Sequence, residues 1–423
     1  MIIKGGRLID PLNKIDKKAD VLINEGRVER VEDRVNAKNA EVIDASGMVV
    51  CPGLVDMHVH LREPGREDEE TIQTGCKAAI AGGITSIACM PNTQPVNDHE
   101  SVCSSIIEKA AEVGLADVYP IGAISKGLEG KSLSEMAHLA EAGAVAFSDD
   151  GKTVMDSNLL RRAFEYANSL GKPLIVHCED ENLSDAGQIN ESYISTVLGL
   201  KGIPAEAEEF IIARDISLAK LSGARVHIAH VSTSGSVSLI REAKKHDLPV
   251  TAEVTPHHLF LDEEMLTDYD TNLKVNPPLR SKKDTEALVK GLRDGTIDAI
   301  ATDHAPHAAF EKEKEFIYAP FGMVGLETML PLCITNLDMN LSTLIEKLTV
   351  NPAKILDIKA GNLSQGSRAD ILIFNNNAKV EVDSSNFFSM SKNTPYNGMK
   401  LKGKIESVIK KGKVVFKEGK FVE

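Results

Sequence analysis

Apolar and polar positions alternate along the first 52 residues. MIIKGGRLID, ADVLINEGRVERV and AEVIDASGMVV each read as a short strand or strand pair, with Gly-Gly, Glu-Gly and Ser-Gly marking the turns. The same texture returns from about Gly361, in ADILIFN and ESVIKKGKVVFKEGKFVE, where many Lys and Glu suit exposed strands guarded against edge pairing. Between these ends the pattern changes. ITSIACM, ADVYPIGAI, AVAFSDD, PLIVHCED, ARVHIAHVS, LPVTAEVTPH and IDAIATDHAPH are strand-like apolar runs. They alternate with helical stretches such as EETIQTGCKAAIAGG, LLRRAFEYANSLG, AEEFIIARDISLAKLSG and SVSLIREAKKHD. This βαβα rhythm predicts a parallel sheet, and about eight units favour a closed (β/α)8 TIM barrel over a doubly wound sheet. The expected architecture is α/β: a barrel over 53–352 and a small β-sandwich domain assembled from 1–52 and 353–423. No internal repeat or low-complexity segment interrupts it.

Composition narrows the function. A chain of 423 residues, 42% hydrophobic, can bury a large core. A formal net charge of −14 argues against nucleic acid or an anionic membrane as partner. The absence of Trp and an aromatic content of 4% disfavour base-stacking platforms. A small anionic substrate stays open, because a local Arg can act against the global field. No apolar run reaches 18 residues and the N-terminus lacks a signal-peptide core, so the expectation is a soluble, cytoplasmic protein. The six cysteines (Cys51, Cys76, Cys89, Cys103, Cys178, Cys333) contain no C-x-x-C pair, which excludes a thiolate zinc site and a disulfide framework. Cys178 follows His177, but strand neighbours face opposite ways, which disfavours a nucleophile–base pair.

The chemistry starts in VVCPGLVDMHVHLREPG (49–65). His58 and His60 are two apart, so on a strand both imidazoles face one side, and Arg62 continues that alternation. His-x-His alone equally suits two surface histidines, so the case depends on further strand ends. PLIVHCED supplies His177. ARVHIAHVS supplies His227 and His230, of which His230 is nearer the C-terminal end and the better ligand, with His227 packed. IDAIATDHAPH supplies Asp303, His304 and His307. Four histidines (His58, His60, His177, His230) with Asp303 at one mouth of a barrel form a metal site, and imidazole and carboxylate donors suit catalytic zinc. More than three ligands point to two metals about 3.5–4 Å apart, bridged by hydroxide. A bridging protein carboxylate would come from AVAFSDDG, as Asp149 or Asp150, and spacing does not choose between them. Elsewhere GLEGKS fails as a phosphate loop because Ser125 stands where Gly is required. His257 and His258 read as packed or standing behind the ligands. EKEKE (311–315) reads as a solvated face or a lid over the site.

Together GLVDMHVHLREPG, ACMPNTQPV, FSDDG, IVHCED, HIAHVST, EVTPHHL, KVNPPLR, ATDHAPH, PFGMVGLET and NPAKIL span nearly the whole chain. With them the sequence resembles the amidohydrolase superfamily and, within it, the type I dihydroorotase class. The resemblance implies that His58 and His60 bind a first zinc, His177 and His230 a second, and that Asp150 bridges them. It implies Asp303 as a ligand of the first zinc and the catalytic acid/base. It further implies that Arg62, Asn92 and His307 hold the substrate carboxylate beside His60, and that Asn276 and the Phe321-Gly322 backbone meet the ring. No lysine occupies the bridge position that hydantoinase-like relatives fill. The implied reaction is the reversible cyclisation of N-carbamoyl-L-aspartate to dihydroorotate in pyrimidine synthesis. The rivals are an allantoinase or hydantoinase, whose substrates lack that carboxylate, and a non-catalytic paralogue, which should have lost ligands. A homodimer and a complex with aspartate carbamoyltransferase are the assemblies the class suggests.

Overall fold

The computed structural model describes residues 1–37 and 40–422. Eight parallel strands follow one another in chain order: β1 (Leu54–Val59), β2 (Ile84–Cys89), β3 (Asp117–Ala123), β4 (Ala146–Ser148), β5 (Leu174–Val176), β6 (Val226–Ile228), β7 (Val250–Val254) and β8 (Ala299–Ile300). The ring closes just beyond β8. A parallel bridge joins Val59 to His304. Thr302 donates to the Asp56 carboxylate through its backbone N–H (3.1 Å) and its hydroxyl (2.6 Å).

The strands read as continuous apolar runs because both faces are covered. Outside them, Ile72, Leu160, Ile212, Ile240 and Leu288 of the surrounding helices join one cluster with Val59, Ile87, Leu174 and Ile228. Polar residues set the helix boundaries. Thr71 and Thr74 form a capping box before Ile72–Ala81, and the Asp156 carboxylate accepts from the N–H groups of Asn158 and Leu159 before Ser157–Ser169. Gly223, at φ 69°, ends Glu206–Ser222 in the left-handed conformation that glycine adopts without strain.

The two chain ends supply two more sheets. A seven-stranded sheet pairs Ile371–Glu381 antiparallel with Val49–Pro52, which lies parallel to Arg7–Asp10. A four-stranded sheet holds Ile2–Lys4 between Asp20–Asn24 and Val42–Asp44. Ile3 and Val21 from the smaller sheet pack against Leu8, Val50, Ile371 and Ile373 from the larger, so termini distant in sequence share one core. Val49–Pro52 leads through Gly53 directly into β1, so the sandwich sets the entry of the first barrel strand. Helix Val350–Leu356 crosses position 353, and its Ile355 and Leu356 pack with Met57 and Ala301 of the barrel.

Candidate metal centre

The chain brings the predicted ligands together immediately beyond the C-terminal ends of the barrel strands. Of these only His58 lies on a strand. His60, Asp150, His177, His230 and Asp303 follow the ends of β1, β4, β5, β6 and β8 by one to three residues. The alternation expected to run on through Arg62 stops at Val59, and Arg62 occupies a left-handed turn at φ 59°. The guanidinium therefore reaches the site from a loop.

Asp150 is the shared carboxylate. Its Oδ1 lies 3.3 Å from His58 Nε2 and 3.6 Å from His230 Nε2, and its Oδ2 lies 3.5 Å from His60 Nε2. Asp149 turns the other way and accepts from the backbone of Ile124 (2.8 Å) and Ser125 (2.9 Å) and from the Ser125 hydroxyl. Both residues lie just beyond β4, and there Asp150 faces the histidines while Asp149 faces the Ile124-Ser125 backbone. Asp303 Oδ1 lies 3.0 Å from His60 Nε2 and 3.5 Å from His58 Nε2. His177 Nδ1 lies 2.9 Å from His230 Nε2, and its Nε2 lies 3.3 Å from Glu179.

Among the described residues three triplets have donor atoms mutually within 4.8 Å: at the barrel mouth His58, His60 and Asp303, and His58, Asp150 and His230, and beside them Glu69, His307 and Glu311. Among the described residues, His58 Nε2, Asp150 Oδ1 and His230 Nδ1 are buried without a hydrogen-bond partner. Buried donors this close and this poorly satisfied fit a metal ion, and imidazole with carboxylate is the donor set of a hard-to-borderline divalent cation. His177 lies outside both triplets at the mouth and reaches them through His230.

Electrostatics point the same way. Burial opposes charge on His58, yet the Asp150 and Glu253 carboxylates outweigh it and hold its pKa well above the ordinary value. Burial alone would raise Asp150, but His58, His230 and His60 pull its pKa well below the carboxylate range. Asp303 is likewise lowered, against its burial, by His60 and His58. Both acids are therefore ionised at neutral pH.

Beside the donors opens a cavity of about 310 Å³, lined by His60, Arg62, Asn92, Asn276, His307 and Phe321 among others. Asn92 Oδ1 lies 2.9 Å from His60 Nδ1. Arg62 pairs with Glu69 at 3.0 Å and donates to Pro306 O at 3.2 Å. His307 is held by Glu69 (3.0 Å) and by Phe321 O (2.8 Å). Burial comes first among the causes that lower the His307 pKa, and the Arg62 charge adds to it. Asn276 donates to Glu179 at 2.6 Å, which links this amide to His177.

Other sequence candidates lie elsewhere. His227 is buried between Thr251 (2.9 Å) and Glu253 (3.2 Å), a packed residue as expected. His304 pairs with Glu70 at 3.1 Å, away from the ligands. His258 bonds Thr255 and Pro277 O, and burial lowers the His257 pKa to about 4. The Cys178 thiol lies 3.8 Å from Asp215, and burial raises its pKa well above the ordinary value, which removes it as a nucleophile. EKEKE is not simply a solvated face. Lys312 is buried, because its ammonium finds the carbonyls of Pro320 and Gly322. Sequence reasoning missed Glu253, Glu69 and Glu179. For Glu253 a signal existed: a lone carboxylate in the apolar run LPVTAEV must have a partner. For Glu69 and Glu179, on loops rich in acids, none did.

The fold itself is shared with solved cyclic-amide hydrolases. L-hydantoinase (dihydropyrimidinase) from Arthrobacter aurescens superposes with a TM-score of 0.90 at 28% identity, covering 100% of this chain and 97% of that one. A dihydropyrimidinase from Brevibacillus agri NCHU1002 gives 0.85 at 25% identity, covering 100% and 96%. Barrel and donor cluster thus define a cyclic amidohydrolase. Residues 47–236 match the family described as dihydro-orotase-like. The dihydroorotase of Syntrophus aciditrophicus (strain SB) is 52% identical over 99% of both chains, and that of Pelotomaculum thermopropionicum 54% over 99% of both. The chain belongs to the dihydroorotase family.

Proposed function

We propose that the protein interconverts N-carbamoyl-L-aspartate and (S)-dihydroorotate in pyrimidine biosynthesis. The observation that carries this reading is one cavity lined by His60 and Asp303, with His58 buried behind them, while Arg62 and His307 stand beside them. The reacting amide and the substrate carboxylate thereby have separate places. His58, His60 and Asp303 would hold one zinc, and His177 and His230 a second, with Asp150 between them. Metal at this site supplies Lewis acidity and lowers the pKa of water towards neutrality.

The residues do the rest. Arg62 presents a planar fork to the carboxylate, with Asn92 and His307 flanking it. Asn276 and the Phe321-Gly322 backbone orient the ring, which leaves the scissile carbonyl towards Asp303. In ring opening the carbonyl carbon gains the water oxygen and its bond to the ring nitrogen breaks. Asp303, ionised at neutral pH, takes the proton from water and delivers it to that nitrogen. The reverse transfer serves cyclisation.

A hydantoinase reading has the solved neighbours in its favour, but such substrates offer nothing to Arg62. Turnover of dihydroorotate against allantoin and dihydrouracil decides it, and activity confined to the latter two would reject the proposal. We place the enzyme in the cytoplasm; among the described residues no helix is long and apolar enough to cross a membrane. A homodimer and a complex with aspartate carbamoyltransferase are tested by sizing and co-purification.

The same reading divides the chain into a hydrolase barrel, about 53–352, and a sandwich of 1–52 with 353–423. The barrel's last helix runs on to Leu356.

A further inference from the structure

The segment 316–322 forms neither helix nor strand, and its last three residues line the cavity. Without a ladder its carbonyls need other donors. They converge on two ammonium groups. Lys274 Nζ donates to Phe316 O (2.7 Å) and Ala319 O (2.7 Å), and lies 4.6 Å from the centre of the Phe321 ring. Lys312 Nζ donates to Pro320 O (2.9 Å) and Gly322 O (3.0 Å). The Gly322 N–H closes the arrangement on Lys274 O at 2.8 Å.

Lys274 is 2% exposed and Lys312 7%. An ammonium so placed, met by carbonyls, is costly, and burial draws the pKa of Lys274 down to about 8 and that of Lys312 to about 7. A methionine would fill either space with less penalty. What the charge adds is a set of directed bonds to one irregular segment. Each lysine also sits close in sequence to a side chain lining the cavity, Lys274 two residues before Asn276 and Lys312 five after His307. Gly322 leaves the segment little freedom to settle otherwise: at φ 134°, a Cβ there would stand 2.6 Å from Ala305 Cβ.

We propose that Lys274 and Lys312 are positioning residues that hold segment 316–322 so that Phe321 and Gly322 meet the substrate ring. They act on substrate affinity and not on the chemical step. This rests on the reading that Phe321-Gly322 contacts the ring.

The test uses the full-length, metal-loaded enzyme with Lys312→Met, Lys274→Met and the milder Lys312→Gln, which keeps a donor. KM and kcat for dihydroorotate, metal content, and amide hydrogen exchange in 316–322 with and without dihydroorotate are measured together. The expected result is KM raised about tenfold by either Met variant and less by Gln, with kcat within twofold. Metal content stays unchanged and exchange in 316–322 accelerates. Unchanged exchange there in any folded variant overturns the proposal, as does a loss carried by kcat alone. Faster exchange with wild-type KM, or failure of dihydroorotate to protect those amides in the wild type, instead overturns the ring-contact reading beneath it. If a Met variant does not fold, Lys312→Gln gives the same discrimination.

Discussion

Glu253 is where the metal centre is most exposed to a single substitution. Its carboxylate, fully buried in β7, places Oε1 2.6 Å from His58 Nδ1 and Oε2 3.2 Å from His227 Nε2. Burial disfavours its charge, but His58 and His227 reverse this and lower its pKa to about 2. An ionised Glu253 only accepts, so both facing ring nitrogens carry protons. With Nδ1 committed to Glu253, Nε2 is the nitrogen that faces Asp150 and Asp303 and gives up its proton when a metal binds. In Glu253→Gln the shape survives but one oxygen becomes an NH2 group. The new NH2 either faces His58, whose proton must then move to Nε2 and block the ligand position, or faces His227, which can shift its proton to Nδ1 and donate to Thr251 Oγ1 (2.9 Å), leaving His58 a neutral acceptor in place of a charged one. Losing one hydrogen bond to a charged acceptor costs about 1.5–3 kcal/mol. At about 1.4 kcal/mol per decade, metal affinity falls roughly 10- to 100-fold.

Titration against a competing chelator reads this directly, with the melting temperature of metal-free protein as control. His58 would hold the first zinc together with His60 and Asp303, so the weakening should fall chiefly on that ion and less on the one held by His177 and His230. Glu253→Ala is the less informative variant. It leaves His58 and His227 facing a void and costs about 3–5 kcal/mol of folding stability, which confounds the affinity. A folded Glu253→Gln protein that binds metal within twofold of wild type would refute the assignment of Glu253 to ligand orientation.

Asp303→Asn should lower kcat on dihydroorotate by about 10²–10⁴ while metal content measured by elemental analysis persists; unimpaired turnover removes Asp303 from proton transfer. Arg62→Met should raise KM for dihydroorotate at least about tenfold yet leave any slow turnover of dihydrouracil unchanged, since that ring carries no carboxylate; steady-state assays on both substrates check it. Removing metal with a chelator should abolish turnover and lower the melting temperature, and restoring divalent zinc should recover both. Glu327 gives a pH test away from the centre. Burial raises its pKa to about 8, so between about 4.5 and 8 the folded state binds a proton that the unfolded state has lost. The stability it contributes is complete below the unfolded value and is lost as pH rises through 8. Denaturant titrations should show wild type losing ground to Glu327→Gln by at most about 1.4 kcal/mol per pH unit across that window.

Legibility in the sequence followed periodicity. The eight barrel strands and the helices Ile72–Ala81, Ser157–Ser169, Glu206–Ser222 and Ser234–Lys245 repeat a short pattern whose apolar faces must be covered, and His58, His177, His230 and Asp303 mark strand ends that the pattern locates. Asp150 over Asp149 could not be read from spacing, because both lie beyond the end of β4, where the backbone turn and not strand alternation decides which carboxylate faces the histidines. Arg62 was placed by alternation, but the strand had already ended and a left-handed turn carries the guanidinium inward. Lys312 was lost in a run of charges, since nothing in EKEKE says which of five side chains meets a carbonyl-rich segment.

The deeper limit lies in contacts between loops. Ser389 and Met390 donate to Glu70 at 2.5 and 3.0 Å, and Ser391 donates to Glu69 O at 2.6 Å. Asn393 accepts from the His307 N–H at 3.2 Å and donates to Ala305 O and Gly322 O, each at 3.1 Å. A stretch between two sandwich strands thus returns to the barrel mouth and fixes the loops that carry Arg62's partner Glu69, His307 and Gly322. Each bond joins positions between about 70 and 320 residues apart, and no local pattern encodes such a meeting. The sandwich is therefore tied to the barrel from two sides: it sets the entry of β1 through Val49–Pro52, and the connection between its C-terminal strands braces the loops that line the cavity. Both ends of the chain are thus joined to the barrel whose mouth carries the donor cluster.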